Sequence, residues 1–350
     1  MYPYEREWSI NSVELERYVA AKQNWDESKM LINKIRNYLS TIDPEIASQI
    51  QTIAAAGSLG RMEACQEVSD ADLIIVLSDS IDPKSDQAIN IYNFVWESLK
   101  PLKLDQPKVT GVFAKPTTQN ELTSSIGKAK EEYDIYSKRL LFLLETQPLY
   151  KDSNYTALIH AIVERYADKY VKNDSKKEWT LLLNDLIRYF RALAVNYQWD
   201  FENEVEKWAI RNVKLRHSRL VMYSGLLMLL GEASKERQDK VSWLQKQLKK
   251  TPLERLAWVY EQNYDWNFHR IIGSYNVFLS RLNDVKVRKA LNFNPRDLTG
   301  NPDHPYQDRY TNLEFVNLKA NSDGLIAELL RFVFTRRGTW TERFFEYLIF

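Results

Sequence analysis

Cysteine is almost missing from this chain: there is one, Cys65, in 350 residues. A single thiol cannot close an intrachain disulfide, so the core must hold the fold, and a reducing, cytoplasmic setting is expected. Histidine is nearly as scarce. The four, at positions 160, 217, 269 and 304, have no metal-ligand spacing among them, which argues against a His/Cys zinc site. An excess of either charge is missing too. The 48 Lys+Arg and 47 Asp+Glu leave a formal net charge of +1, so bulk charge does not favour a long polyanion, although local basic patches keep nucleic acid open as a partner. No apolar run is long enough to span a bilayer; the strongest, Leu220 to Leu230, is broken by Tyr223, Ser224 and Gly225. The opening MYPYEREWSI has neither a basic n-region nor an apolar h-region, so no signal peptide is expected. With a mean hydropathy of −0.47, a soluble protein with no membrane role is the expectation.

Glycine and proline are also few, 10 and 11, and long stretches carry helical periodicity instead. Residues 10–42 predict one or two helices, with Leu15, Tyr18, Val19, Leu31, Ile32, Ile35 and Leu39 as apolar positions. The period then changes. Thr52 to Ala56 reads as a short apolar strand running into Gly57-Ser58-Leu59-Gly60, and Asp70 to Leu77 alternates before turning continuously apolar, as a central strand does. Gln87 to Leu99 predicts a helix and Lys108 to Ala114 a further strand. From about residue 126 helical patterns dominate, interrupted by a Pro/Gly/Asn/Asp-rich loop over 294–312. The expected architecture is α+β: an N-terminal helical segment (1–45) packed on a small sheet domain (46–125), followed by a larger all-α helical bundle (126–350).

The chemistry concentrates in Ala56-Gly57-Ser58-Leu59-Gly60-Arg61 and Val68-Ser69-Asp70-Ala71-Asp72-Leu73. A strand ending in Gly-Ser makes a turn where the missing side chain of Gly57 lets a phosphate approach the backbone, and the Ser58 hydroxyl and turn N–H groups can donate to it. Arg61, just after the turn, has the fork geometry that suits a phosphate. Asp70 and Asp72, two apart on a strand, leave the same face, about 6–7 Å from each other. Two such carboxylates suit Mg²⁺ or Mn²⁺, whereas without a cation they repel and are costly to desolvate. Taken singly, a Gly-Ser turn is usually an ordinary loop and an Asp-x-Asp a solvated strand edge; it is their adjacency to the apolar run Leu73 to Leu77 that points to a metal.

Gly57-Ser58, eleven intervening residues, then Asp70-Ala71-Asp72 resembles the signature of the DNA polymerase β-like nucleotidyltransferase superfamily. The longer string GSLGRMEACQEVSDADLIIV, with Gly60-Arg61, Glu63 and Ser69, is most similar to the branch containing the protein-PII uridylyltransferases and the DUF294-type nucleotidyltransferases. The motif spans about 25 residues. The resemblance implies a small mixed-sheet catalytic domain and a third carboxylate on a later strand. Asp105, six residues before Gly111, occupies the comparable place, with an ordinary turn aspartate before Pro107 as the competing reading; Glu121 is the poorer candidate because it is expected to start a helix. YSKRLLFLLE (Tyr136 to Glu145) resembles the segment that opens the family's helical domain. Asn212 to Arg216, followed by Ser218-Arg219-Leu220, resembles its Lys-x-Gly-Gly-Leu-Arg segment, with the glycines replaced by His217 and Ser218.

Lys214, Arg216 and Arg219 also form a basic run before an apolar helix, open to reading as a solvated helix start or as contacts to a triphosphate. Asn184, Arg188 and Arg191 make a polar stripe at i, i+4, i+7 that faces either solvent or substrate. The 20 tyrosines and 10 tryptophans could stack bases, but at helical spacing most belong to packing. Trp340 to Phe350 is apolar on both sides and is expected to dock on the body or on a second protomer.

The expected activity is transfer of a nucleoside monophosphate from an NTP, ATP among them, to an acceptor hydroxyl, releasing pyrophosphate. Gly57, Ser58 and Arg61 would hold phosphates with Lys214, and Asp70, Asp72 and Asp105 would ligate the metal. A protein acceptor is favoured by the uridylyltransferase likeness and the neutral charge. RNA ends or a small molecule are the alternatives, as is a nucleotide-sensing protein that turns nothing over.

Overall fold

A computed structural model describes residues 4–65, 71–107, 110–124, 126–127, 131–173, 178–202, 208–235, 238–292 and 312–349. The protein is mixed α+β, mostly helical, with one small sheet. It divides into two compact units. The first comprises Met1–Trp8, Gln23–Asp185 and Glu236–Thr251; the second comprises Ser9–Lys22, Leu186–Lys235 and Pro252–Phe350.

The first unit holds the sheet: β1 (Ile50–Ala55), β2 (Leu73–Leu77), β3 (Thr117–Thr118) and β4 (Gln147–Tyr150), in the order β3-β2-β1-β4. β1 pairs antiparallel with β2 and with β4, while β2 and β3 run parallel. All five side chains of β2 are buried, which is why Leu73 to Leu77 reads as an unbroken apolar run; each such side chain stabilises the unit by roughly 1.5–3 kcal/mol. The approach to β1 is set by the short helix Pro44–Gln49. Pro44 occupies its first turn, and the Asp43 carboxylate caps it by accepting from the Glu45 N–H at 2.8 Å. Ser85 caps the helix Asp86–Leu99 in the same way, through the Ala88 N–H.

The strand predicted over 108–114 does not form in its described part. Residues 110–116 run through bends and turns, with Gly111 at φ +112°, because Pro107, Gly111 and Pro116 interrupt any ladder. The strand beside β2 is instead the two-residue β3. β4 carries Pro148 and so lacks the look of a strand, yet it lies at the sheet edge, where a proline is tolerated. The helices Tyr133–Leu144 and Asp152–Asn173 flank β4 in the chain, and the helix Lys240–Leu248 packs on Asp152–Asn173. Among the predicted apolar positions of the N-terminal helices, Leu15, Ile32, Ile35 and Leu39 are buried, whereas Val19, at the start of the helix Val19–Leu39, is exposed.

The second unit is helical. Leu220–Ser234 packs on Pro252–Gln262, with Gly225 close to the Pro252 backbone, and Phe268–Asn283 packs on Leu313–Thr335. The final helix, Glu342–Ile349, docks on its own unit through buried Phe344 and Phe345, and Trp340 donates to Glu232 Oε1 at 2.8 Å. No helix among the described residues is long and apolar enough to cross a membrane.

Between Trp208–Lys214 and Leu220–Ser234 the chain makes a π-helical turn, Leu215–Arg219. Its His217 is fully buried and stacks on Phe278, ring centroids 4.4 Å apart. Nδ1–H donates to the Val213 carbonyl at 2.9 Å and Nε2 accepts from Asn321 at 3.0 Å, so the ring is neutral with a fixed tautomer. Burial lowers its pKa from 6.5 to about 4, with Arg216 adding to the effect and the Val213 carbonyl opposing it. The folded form therefore binds this proton less readily than the unfolded chain. Its contribution to stability is complete above pH 6.5 and drains away as pH falls towards 4, by about 3 kcal/mol in all. Urea midpoints measured across that range should fall for the native chain, and the fall should be smaller by this amount in His217→Met.

Candidate active site

The register of β1 and β2 sets Ala55 opposite Leu73, and the ladder continues one bond further, from the Ala56 N–H to the Asp72 carbonyl at 2.7 Å. Antiparallel pairing thus puts the end of one strand and the beginning of the next at the same end of the sheet. From Ala56 the chain enters a single helical turn, Gly57–Gly60. Gly57 has φ +64°, the left-handed region that glycine alone enters without strain. A β-carbon at Gly57 would stand 2.2 Å from Asp72 Oδ2. The Asp72 carboxylate therefore rests against the glycine's α-carbon and fills the space that the sequence alone assigns to an approaching phosphate.

What the turn still offers an anion is its N–H row. The first bond of the turn runs from the Gly60 N–H to the Ala56 carbonyl at 3.0 Å, which leaves the N–H groups of Ser58 and Leu59 without an intrahelical acceptor. The Gly57 N–H is taken by Glu145 Oε1 at 2.8 Å. Ser58 is half-buried beside Asp72, which is also half-buried.

Glu145 ends the helix Tyr133–Leu144 and is the site's unforeseen member. Its side chain is 0% exposed, and its second oxygen accepts from Arg61 Nη1 at 2.5 Å. Arg61 Nε donates to Glu63 Oε1 at 2.9 Å. The guanidinium is thus buried between two carboxylates, bracing the turn from behind. A close Cα–carbonyl approach completes the brace: a β-carbon on Gly60 would lie 2.5 Å from the Glu145 carbonyl, and the Gly60 carbonyl accepts from Gln147 Nε2 at 3.1 Å. The sequence does hold a signal for Glu145. It is a charge directly after the apolar run Leu140 to Leu144, and a carboxylate buried there needs a partner.

The remaining predicted residues divide. Asp70, with 66–69, lies outside the described residues. Asp72 stands one residue ahead of β2. Asp105 is exposed and belongs to none of the four strands. In the parallel pair Thr117 is level with Val76 and Thr118 with Leu77, so Asp105 lies well ahead in the chain of the strand that neighbours β2. Glu121 starts a helix, Gln119–Ser124, and accepts from the buried Thr117 hydroxyl at 2.8 Å. Among the described residues no group of three or more His, Cys, Asp or Glu is placed to hold a metal. Lys214 is exposed in the second unit; Arg216 donates to Ser322 Oγ at 2.7 Å and pairs with Asp323. Asn184, Arg188 and Arg191 are exposed.

Earlier in the helix Tyr133–Leu144 lies Lys138, 2% exposed. Burial lowers its pKa from 10.5 to about 8 against the pull of Asp134 and Glu121.

Comparison of the chain with protein-family models and with curated proteins gives no match, so the functional reading rests on the residues around Gly57 and Asp72.

The glycine contact predicts that Gly57→Ala lowers the unfolding free energy by roughly 2–4 kcal/mol, from left-handed strain and the clash with Asp72 together. Gly111→Ala, also at positive φ but with open space around it, should cost only the conformational part; urea midpoints compare the two. Lys138→Met should raise stability by about 3 kcal/mol at pH 7. The folded-state pKa is below the unfolded one, so the native lysine's penalty is complete below pH 8. The variant's advantage should shrink above that pH and vanish near 10.5.

Proposed function

We propose that the Gly57 turn and the adjoining ends of β1 and β2 form the active site of a metal-dependent nucleotidyltransferase, moving a nucleoside monophosphate from an NTP to an acceptor hydroxyl with release of pyrophosphate. The observation that carries this reading is the seating of the Asp72 carboxylate against Gly57. It places an acidic group beside a turn that presents free N–H donors, an arrangement suited to an anion bridged to a carboxylate through a cation. The likeness of residues 57–72 to the polymerase β-like signature supports the same reading.

The chain's own residues take simple roles. The Ser58 hydroxyl and the N–H groups of Ser58 and Leu59 receive phosphate oxygens. Arg61, its charge matched by Glu63 and Glu145, keeps the turn in shape from behind. Asp72, with Asp70, is the ligand set for Mg²⁺ or Mn²⁺, since all-oxygen donors fit a hard cation. Such an ion, when bound, neutralises triphosphate charge and makes the acceptor hydroxyl more acidic. Asp105 is the candidate third ligand. A protein acceptor is preferred over RNA ends or a small molecule because the net charge of +1 gives no bulk attraction for a polyanion.

The exposed position of Asp105 outside the strands favours a second reading, a nucleotide sensor that binds without turnover. One experiment separates the two. The protein is incubated with each α-labelled NTP and Mg²⁺ or Mn²⁺ in a cell extract, and label is followed into protein, RNA and metabolite fractions. The native chain should label one fraction and release pyrophosphate, and Asp72→Asn should lose at least about a hundredfold of that rate with an unchanged urea midpoint. Metal-dependent transfer retained by Asp72→Asn refutes the site, and tight NTP binding without pyrophosphate release selects the sensor.

A further inference from the structure

The second unit contains a cavity of about 590 Å³ that the proposed chemistry does not use. It is lined where the helix Pro252–Gln262 ends and Phe268–Asn283 begins, together with residues 12–14, 17 and 18. Two of its lining residues, Tyr264 and Trp266, are 87% and 77% exposed, the most exposed large apolar or aromatic side chains among the described residues. Aromatics held out to water beside a concavity are unusual on a surface with no partner and are the residues that dominate recognition.

The backbone says the same of Tyr264. Its N–H reaches the Glu261 carbonyl at 3.0 Å and the Asp265 N–H reaches the Tyr260 carbonyl at 3.0 Å, with Tyr264 itself at φ +52°. This is a helix C-terminal cap whose left-handed position favours glycine. A tyrosine here is strained, and being exposed it gains no burial in compensation. The turn is nevertheless rigid. Asp265 Oδ1 accepts from the Asn267 backbone and side chain at 3.1 and 2.9 Å, and Oδ2 accepts from Arg331 and Arg336 at 2.7 and 3.3 Å. The backbone that carries the two aromatics is therefore preorganised.

Charge specifies the occupant. Glu14 and Arg17 satisfy each other through two bonds, at 2.6 and 2.9 Å, and Asp265 is matched by Arg331 and Arg336. The His269 ring turns its Nδ1 to the Trp266 carbonyl at 2.6 Å. Glu261, half-buried, is the lining carboxylate with no hydrogen bond or ion pair to its side chain among the described residues. Aromatic faces with one unmatched carboxylate are the chemistry that selects an organic cation and rejects an anion.

We propose that this cavity binds the cationic side chain, Arg or Lys, of an extended peptide segment of a partner protein, with Tyr264 and Trp266 flanking the cation and Glu261 as its counter-ion. A cavity of this size exceeds one side chain, and the neighbouring peptide backbone fills the remainder. The binding stands apart from nucleotide transfer and does not depend on it.

Fluorescence anisotropy of the full chain with labelled nonapeptides tests this, each peptide carrying one central Arg, Lys, Leu or Glu in a Gly/Ser background. The Arg and Lys peptides should saturate, the Leu peptide should bind at least about tenfold more weakly and the Glu peptide weaker still. Glu261→Gln should weaken the Arg and Lys peptides by about tenfold while leaving the Leu peptide unchanged. Tyr264→Gly should weaken all cationic peptides without lowering the thermal midpoint, since it relieves the strained position; this separates loss of the site from loss of the fold. No saturation by Arg or Lys peptides up to about 1 mM, equal binding of Leu and Arg, or indifference to Glu261→Gln each overturns the proposal.

Discussion

Everything at the candidate site follows from the antiparallel pairing of β1 with β2. In such a pair the chain leaves one strand and enters the next at the same end, so a turn following Ala55 and a residue preceding Leu73 become neighbours across a single ladder bond. The apolar run Leu73 to Leu77, buried on both faces, anchors β2 in the core, and the pairing of Ala55 with Leu73 sets its register. Once the register is fixed, Asp72 has one place to go, and Gly57 is the residue that leaves room for it. The glycine is required by the protein's own carboxylate, whatever else binds there.

A second constraint is electrical. Glu145 and Glu63 share one guanidinium, Arg61, in a pocket where the Glu145 side chain is out of reach of water. Such a cluster contributes little net stability compared with apolar residues of the same shape, but it is costly to break. Its geometrical effect is larger. It ties the C-terminal end of the helix Tyr133–Leu144 to the N-terminal end of a four-residue turn that could not persist alone, and Gln147 holds the same turn from β4.

The parts legible in the sequence were those governed by local pattern. The helix read over Gln87 to Leu99, the apolar strand β2 and the strand-to-turn junction at Ala55–Gly57 all follow from periodicity and turn chemistry. Two kinds of feature were not legible. β3 and β4 are short, and β4 carries a proline, so neither has a period to read; they exist because a neighbouring strand supplies the partner. Glu145 was hidden because its partners, Gly57 and Arg61, lie more than eighty residues earlier in the chain, a separation that no local pattern reports. Asp105 shows the converse. Its distance from Gly111 matches a pattern, but Asp105 belongs to none of the strands and residues 110–115 run through bends and turns, so spacing along the chain says nothing about position in space.

The first unit is assembled from three pieces of chain, one of them Glu236–Thr251. The helix Lys240–Leu248 covers Asp152–Asn173, and at the other end Tyr4 donates to Gln147 at 2.6 Å, the same side chain that holds the Gly60 carbonyl. On a ribosome, the sheet and its turn are made long before that covering helix emerges. Until residue 251 has cleared the exit tunnel the early half must wait with part of its apolar surface uncovered. A nascent chain of this design has most to gain from a chaperone in the interval between the synthesis of β4 and that of the helix Lys240–Leu248.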